Sequence, residues 1–104
     1  MKMTKIKLGD TEYKKTQPTV KDWYENIGFT DKMKGKNIIL DKDAADMAMQ
    51  SVANWFEIDL NEIVEKGDLR EVILAYYQIQ RNIVETFTEA ANFASKNAKP
   101  PVIN

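Results

Sequence analysis

Three aspartates, Asp41, Asp43 and Asp46, are the first side chains to examine for chemistry, because closely spaced carboxylates are how a calcium loop begins. The pattern stops there. Counting from Asp41, the sixth position needs a glycine and holds Asp46, and the twelfth needs a glutamate and holds Val52. An acid-rich helix start explains the three residues better. A phosphate loop fails by the same kind of count: six residues rather than four separate Gly28 from Gly35-Lys36, and Asn37 stands where Ser or Thr is required. Ser51 and Ser95 are the candidate nucleophiles, but the chain has no histidine to activate either one. With no cysteine there is no thiol catalysis, no thiolate metal site and no disulfide framework. Glu62, Glu65, Glu71, Glu85 and Glu89 fall on helix surfaces without the pairing that acid–base work needs. The residues therefore name no catalytic, metal-binding or cofactor-binding group, and no enzyme activity is expected.

The bulk properties agree with a binding role. A chain of 104 residues makes one domain, and 43% hydrophobic with 30% charged residues is ordinary globular composition. No apolar run reaches the roughly 20 residues of a membrane span, and the charged start MKMTKIK has no signal-peptide core behind it. The expectation is a soluble, intracellular protein. Net charge is −1 but polarised: residues 1–42 carry ten Lys against six acids, and residues 43–104 carry five Lys/Arg against ten. Such asymmetry is either two solvated faces or a means for copies to stack head to tail. Only two of the fifteen cations are arginines and no dense patch forms, which disfavours nucleic acid.

The elements that would position any site are legible. KIKLGDTEYKK reads as a β-hairpin (residues about 3–16) turning at Gly9-Asp10, with Leu8 opposite Thr11 and Ile6 opposite Tyr13. Thr19 and Asp22 then cap a helix over about 20–27, whose Val20, Trp23, Tyr24 and Ile27 share one face before Gly28 ends it at C′. Trp23 and Tyr24 are read as packing the hairpin onto the helices, with partner docking as the alternative. Ile38-Ile39-Leu40 is a short strand or a buried lead-in to a second helix over 43–56, capped by Asp41 or Asp43. Its stripe is Ala45, Ala48, Met49, Val52 and Phe56, with Trp55 flanking. Asp59 caps a third helix over 60–66 that ends at Gly67, and Asp68 caps the longest, over 69–95. Leu69, Val72, Ile73, Tyr76, Ile83, Val84, Phe87, Ala91 and Ala94 cluster on one side of that last helix. Residues 96–104, with Pro100-Pro101, make a flexible tail.

The fold class is thus mainly α (α+β): an N-terminal hairpin packed on about four helices, the last one longest, as a single domain over 1–95. Its expected core is Ile6, Leu8, Tyr13, Trp23, Tyr24, Ile27, Val52, Trp55, Phe56, Ile73, Tyr76, Ile83 and Phe87. Met47, Leu74 and Phe93 are apolar but lie off their helices' stripes, and Gln80 is polar in mid-stripe. They are where contact with a partner or another subunit is first sought. Lys32, Lys34 and Lys36 form either a solvated loop or a seat for an acidic segment of a partner.

The hairpin K-I-K-L-G-D-T-E-Y followed by the capped P-T-V-K-D-W-Y resembles the small tail assembly chaperones of long-tailed bacteriophages. The likeness is sharpest over residues 5–27 and continues through Trp55-Phe56, Asp59-Leu60 and Asp68-Leu69 to about residue 95. The resemblance implies a non-enzymatic, cofactor-free protein of the infected bacterial cytoplasm. It implies binding to the tape measure protein and to tail tube subunits, self-association, and absence from the finished virion. A longer frameshifted form often accompanies such proteins. The competing expectations are a structural tail or head–tail joining protein of the virion, or a small phage regulatory protein.

Overall fold

The hairpin is short because its turn is tight. β1 (Thr4–Leu8) and β2 (Thr11–Lys15) pair antiparallel in the predicted register, Ile6 opposite Tyr13 and Leu8 opposite Thr11. Gly9, at φ 60°, takes the first turn position, where a type II′ turn calls for glycine. Alternation buries Thr4, Ile6 and Leu8 and leaves Lys5 and Lys7 in solvent, so a two-stranded ribbon that would be marginal alone gains a packed face. The computed structural model describes residues 3–97; the expected tail beyond Asn97 lies outside them.

Four helices follow: α1 (Val20–Lys32), α2 (Lys42–Phe56), α3 (Leu60–Lys66) and α4 (Leu69–Asn97). At the head of α1 the capping box is complete. The Asp22 amide donates to Thr19 Oγ1 at 3.1 Å, and the Thr19 amide to Asp22 Oδ2 at 2.8 Å. α1 does not stop at Gly28, however. It runs a full turn further, because Phe29 and Met33 are drawn inward and Met33 packs on the core. Asp59 and Asp68 cap α3 and α4 through the amides of Asn61 and Glu71. Asp41 holds the N-cap position of α2, yet its carboxylate instead accepts the Asn37 amide at 2.6 Å within the preceding loop.

That loop corrects a second expectation. Ile38 is half-buried, but Ile39 and Leu40 are 84% and 80% exposed, forming neither a strand nor a buried lead-in. At the other end of α2, Glu57 sits in the left-handed region at φ 56°. The Ile58 amide returns to Ala53 O (2.9 Å) and the Glu57 amide to Asn54 O (3.3 Å), a Schellman stop whose usual glycine is here a glutamate.

The core lies where β1, α2, α3 and α4 converge. Ile6 and Leu8, Val52 with Trp55 and Phe56, Ile63, and α4's Val72, Tyr76, Ile79 and Ile83 fill it. Trp55 is central rather than flanking. Its indole donates to Thr4 Oγ1 at 2.6 Å, and that hydroxyl donates onward to Lys15 O at 2.8 Å. The Lys15 ammonium lies 4.6 Å over the Trp55 ring, 3.2 Å from Trp55 O and 2.6 Å from Asp22 Oδ2. Hairpin, α1 and α2 are tied at one point. From α4, Asn82, 1% exposed, donates to Thr16 O at 3.0 Å and fixes the end of β2.

Several residues expected in the core are not there. Trp23 is 39% exposed, Tyr24 73%, Ile27 48% and Phe87 58%, while Tyr13 and Ile73 are half-buried. On α4 the buried face is Val72, Ala75, Tyr76, Ile79, Asn82 and Ile83, rotated away from Leu69, Val84, Phe87, Ala91 and Ala94. The apolar arc of α4 is wide enough for two partners, and the domain supplies only one.

Candidate functional site

α1 and α4 present apolar faces to one another without closing. Trp23 and Ile27 rise from α1, and Ile83, Val84 and Phe87 from α4, lining a groove of about 530 Å³. One end is sealed by Trp23 stacking on Phe87, centroids 6.0 Å apart at 24° between planes, with Tyr24 tilted against Trp23 at 6.2 Å. The other end is polar, where Asp31 and Lys34 pair at 3.4 Å beside Gln80. Asn26 lines the groove as well, and its Oδ1 is buried with no donor among the described residues. A buried acceptor without a partner costs roughly 1–3 kcal/mol.

The polar chain behind the groove is satisfied. Asn54 Nδ2 donates to Glu25 Oε2 at 2.6 Å, and Gln50 Nε2 to Asn54 Oδ1 at 2.7 Å, linking α2 to α1. α1 is thereby tied to α2, while its Trp23 and Ile27 face the open groove beside α4.

The residues singled out from sequence as partner contacts are not gathered in one place. Met47 is half-buried and shares a hollow with Lys32, Lys36, Asp43 and Asp46. Charge there is largely matched, with Lys36 to Asp43 at 3.3 Å and Lys42 to Asp46 at 2.7 Å, which weakens the case for an acidic ligand. Lys34 belongs instead to the groove's polar end. Leu74 and Phe93 are 53% and 69% exposed on different flanks of α4, nineteen residues apart. Partner docking is the alternative reading for Trp23, whereas Ile27, Val84 and Phe87 are assigned to the core face alone, yet they carry a signal. Two amphipathic faces on flanking helices end in aromatic residues too large for the space between them.

The two serines considered as nucleophiles lie outside the groove. Ser51 is buried on α2 and Ser95 is exposed near the end of α4. Among the described residues two ionisable groups are displaced, neither of them lining the groove. Burial, and then Tyr77 beside it, push the Tyr76 phenol above its ordinary range. A hydrogen bond and charge from Lys14, 3.1 Å away, hold the Glu12 carboxyl below its usual value. Among the described residues no three acidic side chains converge as a metal site would require, and no helix is long and apolar enough to cross a membrane. What the arrangement offers is a shaped apolar surface with one buried acceptor and a charged end. Comparison with family models, with curated proteins and with solved structures found no match to this chain.

Proposed function

We propose that this protein is a non-enzymatic tail assembly chaperone of a long-tailed bacteriophage, acting in the host cytoplasm, and that its α1–α4 groove receives an apolar helical segment of the tape measure protein. The observation that carries the reading is the open groove itself, with Trp23, Ile27, Val84 and Phe87 exposed on two helices. An amphipathic helix laid into a hydrophobic groove is a recurrent recognition mode, anchored at i, i+3, i+4 and i+7 positions. A long tape measure helix has an apolar stripe that aggregates when bare, and many weakly bound copies of a small protein can cover it by multivalency. Tail tube subunits then meet a surface already arrayed along the cargo, and the matched charges around Met47 offer them a separate contact.

Co-expression with the tape measure protein of the same genome tests the reading. A soluble complex with many copies of this chain per tape measure protein, lost in Trp23→Ala, supports it. An insoluble tape measure protein beside a free small protein, or this chain found in purified virions, would move the assignment to a structural or regulatory role.

A further inference from the structure

The exposed face of α4 has a regular repeat. Starting at Ile73 and ending at Ala94, the residues facing away from the core recur at alternating steps of four and three. This is the a/d spacing of a coiled coil, sustained over three heptads. None of these positions is charged, and Glu85, Glu89 and Lys96 lie on the opposite side of the helix. From Phe87 to Lys96 every residue is exposed. The seam also tapers, with Tyr77 at its base and only Ala91 and Ala94 at its tip.

We infer that in the free protein this seam is covered by the α4 helix of a second copy, running antiparallel. The taper decides the direction. In a parallel pair tyrosine would face tyrosine at the base and alanine would face alanine at the tip, too thick at one end and hollow at the other. Antiparallel pairing with Val84 opposite the second copy's Phe87 places Tyr77 against its Ala94 and Gln80 against its Ala91. Over the paired stretch from Tyr77 to Ala94, with Ile73 lying beyond it, bulk meets small side chain in two of the three distinct layers and thickness evens out. At the flanks Arg81 comes opposite the second copy's Thr88 and Leu74 opposite its Ser95, so no like charges oppose. The pairing is isologous, so it closes at two copies. Each groove is then lidded by the partner's Val84–Ala91 stretch, lying against Trp23 and Ile27. Gln80, the single polar residue in the seam, acts as a register marker. If the groove also takes a cargo helix, as proposed above, cargo and second copy exchange one helix for another; only that clause rests on the functional reading.

The test uses the purified full chain alone, without any other protein. Sedimentation over a concentration series is expected to show a dimer dissociating to monomer on dilution. Phe87→Glu is expected to raise the dissociation constant about 30-fold or more, with helix content unchanged because Phe87 is 58% exposed. The chain has no cysteine, so introduced thiols report register directly. Gln80→Cys mixed with Ala91→Cys is expected to cross-link under a short bismaleimide. Gln80→Cys alone is not, since antiparallel pairing puts its two copies eleven residues apart, about 16 Å. A monomer at every concentration, or efficient self-cross-linking of Gln80→Cys, overturns the proposal. Failure of the tape measure protein to bind would leave this dimer intact.

Discussion

The two tryptophans sit in opposite situations. Trp55 is 2% exposed, its indole N–H is bonded to Thr4, and a lysine ammonium caps its ring. Trp23 is 39% exposed and touches mainly other half-exposed aromatics, Tyr24 and Phe87. Around Trp55 the indole, the Thr4 hydroxyl and the Lys15 ammonium are all partnered inside the domain. Around Trp23 the apolar area is comparable in kind but unfinished, and Asn26 lacks its donor. Buried aromatic area stabilises a fold, whereas half-exposed area of the same chemistry remains available for association. The difference separates apolar area that is used up in the fold from apolar area left exposed at the groove.

The comparison can be broken most directly at its two centres. Trp55→Ala is expected to cost about 3–5 kcal/mol in denaturant unfolding, through the lost side chain and the lost hydrogen bond to Thr4 Oγ1. Trp23→Ala should cost about 1 kcal/mol or less while abolishing association. Equal losses from both would show that the groove is core after all. Next comes the closed side's tightest contact. A Cβ on Gly67 would lie 2.4 Å from Ile63 O and 2.7 Å from Val72 Cγ2, so Gly67→Ala should destabilise by about 1–3 kcal/mol. Here glycine is needed for close approach and not for its backbone freedom, since its φ is −74°.

Two substitutions should stabilise by about 1 kcal/mol each, one in either region. Glu57→Gly relieves a left-handed residue at the α2 stop. Gly28→Ala strengthens α1 at an exposed position where an added Cβ meets nothing within 4 Å. Both should raise the thermal midpoint without changing the dimer constant; a shift in association for Gly28→Ala would mean that α1 moves when the groove fills. The smallest effect belongs to pH. Tyr76 has a phenol pKa raised by burial, so the folded state holds its proton more tightly than the unfolded chain does. The stability this supplies is complete below the unfolded phenol value of about 10 and falls away as pH rises through the folded value. Tyrosinate absorbance should therefore show one phenol titrating late, together with unfolding; a Tyr76 that titrates with the exposed tyrosines would contradict this.

Local rules wrote most of the architecture plainly into the sequence. The hairpin register, the three caps at Thr19, Asp59 and Asp68, and the order and length ranking of the helices all depend on neighbours a few residues apart. What stayed hidden depends on distance in the chain. Asn82 reads as a surface residue until Thr16 O is placed beside it, sixty-six positions away. Periodicity identified an apolar arc on α4 but could not divide it between Ile79, which faces α2, and Phe87, which faces the groove, because both sides of the arc obey the same period. Gly28 looked like a stop for the same reason: a glycine ends a helix only when nothing beyond it is pulled inward, and Phe29 and Met33 are. The groove was therefore present in the sequence as two correct stripes assigned to one wrong place.

The bare end of α4 has an energetic consequence of its own. From Phe87 to Lys96 every residue of α4 is exposed, and helical turns with so little burial are marginal in water. Their amides should exchange with solvent orders of magnitude faster than those around Ile79, and should slow when the seam is covered. Any occupant must then supply the free energy of ordering those turns. Affinity is accordingly adjustable from the side the partner never touches. Asn92→Ala, on the outer surface, should tighten self-association severalfold by raising helix propensity alone, readable as slower exchange in the monomer and a lower dissociation constant in the dimer.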